Sequence, residues 1–342
     1  MSALAALAPG RLGDGTLALS NPPRFLSAFT LAGSHEAGGR LAPYLDGFVD
    51  DDMMGQATPE KAERQFMIQA AHRALARAGL QASDIDLFIA GDLLNQLVSA
   101  TMTARDLGIP HLGVFAACAT SAQAMGLAAL LIDGGYARRV MVGASSHYQS
   151  VERQFRYPIE LNIQRKSTNH WTATGAGVAI LGAEGSGPKI THVTFGKVID
   201  YGLSDPNDMG SIMAPAALDT LLRHFQNTGT DAGDYDLILT GDLGKVGKKM
   251  LKVLLRQSGI ALGNKHQDCG DLMYGPQQTF AHAGASGTAC SMMGILGFAL
   301  KQLQSGRYRR ILALPTGCLH SPVLVQQGDS CPAICHAIVL EN

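Results

Sequence analysis

The stretch "DIDLFIAGDLL" at residues 84–94 returns as "DYDLILTGDLG" at residues 234–244, an offset of 150 residues in a chain of 342. The two copies share the frame Asp-x-Asp-Leu-x-x-x-Gly-Asp-Leu. A short apolar run that stops at a turn residue is typical of a buried strand. Because the frame recurs after nearly half of the chain, it indicates a duplicated structural unit.

The neighbours of each copy repeat as well. Helix patterns precede the copies, at residues 58–79 and 215–226, and the first begins at Thr58-Pro59-Glu60 with a cap, a proline and an early acid. The first copy is followed by a strand–turn–helix–turn–strand pattern at residues 111–146, and the second by a turn–helix–turn–strand pattern at residues 284–317. A strand–helix–strand unit implies a parallel sheet.

We therefore predict an α/β protein with a layered αβαβα fold and two mixed, mainly parallel sheets. Its halves are residues 1–185, which carry Cys118, and residues 186–342. We expect them to form one compact unit.

The composition of the chain excludes some classes of function and partner. The chain is 46% hydrophobic and 16% charged, has 40 glycines and carries a net charge of −1. Without a basic cluster, nucleic acid is not an expected partner. The six cysteines show no disulfide framework and suggest a reducing compartment. No metal site or cofactor is predicted.

Two apolar segments invite a membrane interpretation. The start, "MSALAALAPGR", lacks the basic region of a signal peptide. The uncharged run "SGTACSMMGILGFAL" at residues 286–300 is too short for a span and rich in Gly, Ser and Thr, so we predict a helix buried in the core. The chain is expected to be soluble, which is compatible with peripheral attachment to a membrane.

Cys118 lies in "FAACATS", at a predicted strand-to-helix turn. Such a turn presents a side chain at the edge of the sheet, and a helix N-terminus favours the thiolate and binds anions. The alternative is a small buried cysteine in a tight junction. The turn alone does not decide between them.

Asp92 and Asp242 occupy equivalent places in the two copies, each after a glycine at the end of a strand. Ligands of open α/β sheets bind at this edge. Asn95 follows Asp92 on the same helical turn and is a further candidate for the pocket. The alternative for each aspartate is a helix N-cap.

A duplicated α/β unit with a cysteine in "ACATS" before an Ala/Gly-rich helix resembles the thiolase and ketoacyl synthase superfamily. The resemblance implies that Cys118 takes up an acyl group, with two partners from the second half. His282, in "AHAGASGTA", is the candidate for one of them. Asp242 stands where ketoacyl-ACP synthase III enzymes carry a histidine, and Cys318, in "TGCLHSP", stands where thiolases place a second cysteine.

A narrower resemblance is to the stage V sporulation protein AD family of spore-forming bacteria. It covers about residues 58–340 and is carried by five blocks: "AGDLLNQ" (90–96), "ERQFRYP" (152–158), "DPNDMGSIMAPAA" (205–217), "DYDLILTGDLG" (234–244) and "HQDCG" (266–270). His282 departs from this family, in which glycine-like residues are usual at that place.

The family resemblance implies a dipicolinic-acid-binding protein of the spore dipicolinate uptake system, on a catalytically altered thiolase-like scaffold. Its implied partners are other stage V sporulation membrane proteins, at the forespore or spore inner membrane. The alternatives are an active ketoacyl-synthase-type acyltransferase using Cys118, and a scaffold without a ligand. The superfamily also implies a homodimer, which we expect to form through the strand "RRVMVGASS" at residues 138–146.

Dipicolinate is a flat aromatic ring with two carboxylates, one of which suits a helix N-terminus and the other a basic side chain. Arg153 and Arg156, in "ERQFRYP", are candidates for the second carboxylate, with a surface or dimer contact as the alternative. His147 ends a strand at the same edge. Whether calcium accompanies the ligand stays open. The predicted ligand-binding residues are Asp92, Asn95, Cys118, His147, Arg153, Arg156, Asp242 and Cys318.

Overall fold

The computed structural model describes residues 10–342 except residues 158 and 162. The strands within this part of the chain are β1 Arg11–Gly13, β2 Thr16–Ala18, β3 Arg24–Ala32, β4 Gly47–Phe48, β5 Leu87–Gly91, β6 His111–Gly113, β7 Arg139–Ser146, β8 Trp171–Thr172, β9 Gly175–Gly182, β10 Lys189–Thr194, β11 Leu237–Thr240, β12 His266–Asp268, β13 Ala285–Ser286, β14 Arg310–Leu314, β15 Thr316–Cys318, β16 Ala333–Cys335 and β17 Ala337–Glu341.

The α-helices are α1 Pro59–Ala78, α2 Val98–Leu107, α3 Thr120–Asp133, α4 Tyr148–Phe155, α5 Met209–Thr228, α6 Gly244–Gln257, α7 Cys269–Met273, α8 Thr288–Met293, α9 Leu300–Gln304 and α10 Pro322–Gln326. A π-helical segment, Gly294–Ala299, joins α8 to α9. Single 3₁₀ turns lie at Glu36–Gly38, Ala42–Tyr44, Ala82–Asp84, Asn95–Leu97, Ile159–Leu161, Ala232–Asp234 and Gly263–Lys265.

Helix α1 begins and ends where its sequence signals lie. The Thr58 side chain accepts a hydrogen bond from the Lys61 backbone N–H, Pro59 opens the helix, and Gly79 ends it with a φ of 66°. Its counterpart in the second half, α5, is capped by Asp208 and ends at Gly229, also with a φ of 66°. The helix predicted from residue 58 is confirmed.

The two halves build sheets with the same strand order. The first sheet runs β6-β5-β7-β9-β3 and the second β12-β11-β14-β17-β10. In each, the first three strands are parallel and the last two join antiparallel. The two sheets join edge to edge where Arg24 of β3 pairs with Lys189 of β10. The predicted duplication and mixed sheets are confirmed.

Alternating side chains on the strands define the layers. In β5, Leu87 and Ile89 face a cluster that also contains residues of α3, α8 and α9, whereas Phe88 and Ala90 face a cluster with α1 and α2. In β11, Leu239 faces the same central cluster and Ile238 the outer one with α5 and α6. Two sheets thus enclose a central helical layer and carry one outer layer each, which gives the αβαβα order.

The central helices must be narrow because a sheet covers them on both sides. The buried face of helix α3 consists mostly of small residues, with Met125 and Ile132 as its two large buried side chains. Every residue of 288–300 is buried, which agrees with the core helix predicted there. Within the described residues, no helix combines the length and apolar character needed to cross a membrane.

The strand order corrects one expectation. Strand β7 contains most of "RRVMVGASS", and it pairs with β5 on one side and β9 on the other. A central strand has no free edge, so the assignment of a dimer contact to this strand is wrong. The edge strand of the first half is β6.

Candidate functional site

Cys118 lies in a tight turn between β6 and α3. The preceding residue, Ala117, has a φ of 47°, a left-handed conformation that a residue with a side chain adopts only under constraint. Thr120 supplies that constraint, since its hydroxyl donates to the Ala117 carbonyl at 2.6 Å and accepts from the Ala116 N–H at 3.0 Å. The turn is therefore held by its own side chains and places Cys118 just before the first turn of α3.

Residues of the second half hold the other side of this turn. The Ser291 hydroxyl donates to the Cys118 carbonyl at 3.0 Å and lies 2.7 Å from the Ser121 hydroxyl. Gly317 of β15 lies so close that a Cβ on it would collide with the Ala116 carbonyl oxygen. The cysteine turn is thus clamped between the halves.

Replacing Gly317 by alanine should destabilise the protein by about 1–3 kcal/mol, because the added methyl group must displace the turn that carries Cys118. Denaturant unfolding of the variant measures the loss. Gly275→Ala is the matched control, since the nearest atom to its added Cβ would lie at 3.5 Å. Equal stability of the two variants would contradict the clamp.

The buried carboxyl group of Asp242 lies next to the Cys118 thiol, close enough to influence its pKa. The same carboxyl group accepts a hydrogen bond from the Thr316 hydroxyl at 2.8 Å and one from the Gly287 N–H at 3.3 Å. Burial raises the pKa of Asp242 to about 7. Burial, followed by the charge of Asp242, raises the pKa of the Cys118 thiol well above its ordinary value.

The pKa shifts of Cys118 and Asp242 determine whether this pair can act in nucleophilic catalysis. A nucleophilic cysteine needs a depressed thiol pKa, because the thiolate is the attacking species. An oxyanion also needs hydrogen-bond donors, whereas an ionised carboxylate only accepts. The Cys118–Asp242 pair therefore holds a neutral thiol beside an acid that is half-protonated near neutral pH.

Cys118 opens into a narrow cavity of about 40 Å³. Both halves contribute to its wall, which is formed by Leu93, Phe115, Ala117, Cys118, Val151, Phe155, Arg156, Thr172, Met209, Ser286, Cys318 and His320. Four of these residues also line an adjoining vestibule of about 420 Å³: Leu93, Phe115, Phe155 and His320. The cavity alone has room for only a few waters, so a larger ligand would also occupy the vestibule.

Arg156 provides the positive charge of the cavity. Its side chain is only 6% exposed and forms an ion pair with Glu152 one helical turn earlier. Its charge lowers the pKa of Cys118, though less than burial raises it. Burial, with a smaller contribution from Arg156, lowers the pKa of His320 to about 4. At neutral pH the cavity therefore contains a cationic guanidinium and a neutral imidazole.

Three of the predicted site residues lie together at this cavity besides Cys118. Arg156 and Cys318 line it, and Asp242 lies next to the Cys118 thiol. The neighbouring Cys331 thiol raises the pKa of Cys318.

The structure places Asp92 elsewhere. Its two carboxylate oxygens accept hydrogen bonds from the Leu94 and Ala100 N–H groups, both at 2.8 Å, so the side chain caps the start of α2. In the second half Asp268, not Asp242, accepts from the Leu243 and Gly244 N–H groups at the start of α6, both at 2.9 Å. The duplicated aspartates therefore have different roles.

The remaining predicted residues also lie away from the cavity wall. His147 is buried and caps α4 by accepting from the Gln149 N–H. Arg153 forms an ion pair with Glu60. Asn95 is exposed and lines the vestibule rather than the narrow cavity.

The side chain of His282 is exposed, and its carbonyl accepts a hydrogen bond from Lys245. The structure does not bring His282 to Cys118, because His282 lies at the surface in the loop before β13. A role for His282 as a partner of Cys118 is therefore incompatible with this geometry.

Sequence reasoning did not single out the aromatic mouth of the cavity. His320 and Phe155 lie with ring centroids 6.0 Å apart, and Phe115 is 47% exposed beside them. The signal was present, since His320 lies two residues after Cys318 and Phe115 opens the "FAACATS" motif. Only the tertiary structure shows that the three segments meet.

Comparison with known proteins gives a consistent result. The family model described as stage V sporulation protein AD matches residues 13–341. Stage V sporulation protein AD of Bacillus subtilis (strain 168) is 44% identical over 331 residues, which cover 96% of this chain and 97% of that protein. A beta-ketoacyl-[acyl-carrier-protein] synthase III of Streptomyces lividans is 27% identical over 146 residues, 40% of each chain.

Solved structures share the fold at low sequence identity. 3-oxoacyl-[acyl-carrier-protein] synthase III from Aquifex aeolicus VF5 matches with a TM-score of 0.59 at 13% identity, over 94% of this chain and 100% of that one. OleA from Xanthomonas campestris matches with a TM-score of 0.61 at 15% identity, over 95% and 99%. These matches show a thiolase-like architecture and, at such identities, nothing more specific.

Proposed function

Because the chain belongs to the stage V sporulation protein AD family, we propose that it binds dipicolinic acid in the spore dipicolinate uptake system. It is a sporulation protein on a thiolase-like scaffold. In this proposal the ligand occupies the Cys118 cavity and its vestibule, and the acyl-transfer chemistry of the scaffold has been lost.

The observation that carries the proposal is the pairing of Cys118 with Asp242. Acyl transfer would require a thiolate and neutral donors around a thioester oxygen. This chain instead places a carboxyl group against the thiol, and the pKa of the thiol is raised rather than lowered. The geometry favours binding over nucleophilic catalysis.

The shape and charge of the cavity support dipicolinate as the ligand. Phe115, Phe155 and His320 line the vestibule with flat rings that suit an aromatic ligand. Arg156 lines the narrow cavity beyond the vestibule, where it would bind one carboxylate. Asp242, next to Cys118, would add no opposing charge when it is protonated.

Calorimetric titration of the purified protein with dipicolinate, with and without calcium, should show saturable binding. Cys118→Leu should abolish the heat signal because the larger side chain fills the narrow cavity. Cys335→Leu is the matched control: it adds the same volume at a buried cysteine in the outer layer of the second half. Undiminished binding by Cys118→Leu would place the ligand outside this cavity.

One observation favours the alternative, a ketosynthase-type acyltransferase: Cys118 lies at the start of a helix inside a cavity shared by both halves. Intact-protein mass spectrometry after incubation with acyl-CoA tests it. We expect no acyl adduct on Cys118. An adduct that disappears in Cys118→Ala would instead establish the acyltransferase.

A homodimer remains part of the proposal, and we now assign its contact to the edge strand β6. Leu112 of that strand is 39% exposed, and Phe115 follows it. Light scattering should give twice the 36.0 kDa mass of the chain, and Leu112→Asp should reduce it to the monomer. Val253→Asp, an exposed position on α6, should leave the dimer intact. A monomeric wild-type protein would contradict this assignment.

Membrane proteins of stage V sporulation remain the proposed partners, at the forespore or spore inner membrane.

A further inference from the structure

Arg156 also lines a second opening, to which Cys118 does not contribute. This cleft has a volume of about 360 Å³ and is lined by Tyr148, Glu152, Arg156, Tyr157, Ile163, Gln164, Arg165, Lys166, Asn169 and Asn207. Its size is within the range of small-ligand sites. The site proposed for dipicolinate does not use its other residues.

The ion pairs of the cleft leave one positive charge unmatched. Glu152 is the carboxylate partner of both Arg156 and Arg165, and its side chain is only 3% exposed. Lys166 pairs separately with Asp205. One carboxylate between two guanidinium groups leaves a net charge of +1, which is costly in a partly desolvated site unless an anion compensates it.

Asn169 adds an acceptor to the same cleft. Asn207 donates from its side-chain amide to Asp205, which fixes the orientation of that amide. Its oxygen therefore accepts from the Asn169 Nδ2 at 3.2 Å, and this contact fixes Asn169 in turn. Among the residues that the structure describes, none gives the Asn169 Oδ1 a hydrogen bond, although Asn169 is only 6% exposed. A buried acceptor of this kind needs a donor.

We propose that this cleft binds a carboxylate that carries a neighbouring N–H donor, the arrangement found in an N-acylated amino acid and at the C-terminal end of a peptide. The guanidinium of Arg165 binds the carboxylate with support from Arg156, and the Asn169 Oδ1 accepts the N–H. The exposed side chains of Tyr157 and Ile163 offer apolar surface to the side chain of the ligand. This site goes beyond the proposed function and shares only Arg156 with it.

Trp171 provides a built-in reporter. It is the single tryptophan of the chain, its ring stacks on Tyr148 at 3.6 Å, and the Arg165 guanidinium lies 5.1 Å from it. A carboxylate bound to Arg165 should therefore change the tryptophan fluorescence.

The test is a fluorescence titration, repeated by calorimetry, with N-acetyl-L-alanine as the probe. Propionate lacks the donor and N-acetyl-alaninamide lacks the carboxylate, so both should bind at least about tenfold more weakly. Arg165→Gln should weaken binding of the probe about tenfold or more, whereas Arg105→Gln, a surface arginine paired with Asp106, should not. Asn169→Leu should remove the preference over propionate.

Cys118→Leu should bind the probe as the wild-type protein does, which separates this site from the cavity proposed for dipicolinate. Acetyl-tri-alanine distinguishes the source: tighter binding than the single amino acid indicates a peptide end, and weaker binding indicates a small molecule. Equal affinity for propionate and the probe, or an unchanged affinity in a folded Arg165→Gln variant, would overturn the proposal.

Discussion

Dipicolinate should bind the wild-type protein about tenfold more weakly at pH 8 than at pH 6. Burial raises the pKa of Asp242 to about 7, so the group is protonated at the lower pH and mostly ionised at the higher one. An ionised Asp242 repels a ligand carboxylate in the adjoining cavity, whereas a protonated one does not. Because both ligand carboxylates are already ionised in this range, the change is assigned to the protein.

Calorimetry at a series of pH values measures this dependence, and Asp242→Asn should remove it while keeping the affinity at pH 8 close to the wild-type value at pH 6. His320 has a pKa of about 4 and stays neutral throughout, so it does not contribute. Asp329→Asn, at an exposed turn, is the control and should keep the wild-type profile. A flat wild-type profile, or a steep one in Asp242→Asn, would show that another group controls binding.

Arg156→Gln should lower the affinity for dipicolinate by about 100-fold or more, because it removes the one cation that lines the cavity within the described residues. Folding should tolerate the change. Glu152 keeps Arg165 as an ion-pair partner at 3.1 Å, so no buried carboxylate is left unpaired.

Arg153→Gln is the matched variant for this prediction, since it makes the same change three residues earlier. Arg153 pairs with Glu60 on the surface and does not line the cavity, so its loss should alter the affinity by less than about twofold. The reverse ranking of the two variants would move the carboxylate site to the surface and contradict the cavity as the binding site.

The fold could be predicted from sequence because its signals are local and repeated. The frame shared by residues 84–94 and 234–244 marks the same strand in each half, and the caps at Thr58 and Gly79 mark the first helix. Strand order is a different kind of information. Nothing within residues 138–146 shows that β5 and β9 flank this strand on both sides, so a central strand was taken for an edge.

The site was predictable only in part for the same reason. Asp92 and Asp242 are indistinguishable in their local sequence, yet one caps a helix and the other faces Cys118. The difference arises because Asp268, 26 residues further along the chain, caps α6, so that Asp242 does not cap this helix. His282 shows the opposite error, since a motif-like context surrounds a side chain that the structure leaves exposed.

The cysteines can serve as probes of the local stability of the layers. All six are free and buried. Two belong to the central cluster (Cys269 and Cys290), three to the outer cluster of the second half (Cys318, Cys331 and Cys335), and one to the cavity (Cys118). Cys318 also lines the cavity that Cys118 opens into, whereas a chromogenic thiol reagent reaches the remaining cysteines only when a layer opens. Mapping which cysteines are modified first would rank the local stability of these layers. The cluster of the outer layer of the first half has no cysteine, so opening of that layer would give no signal.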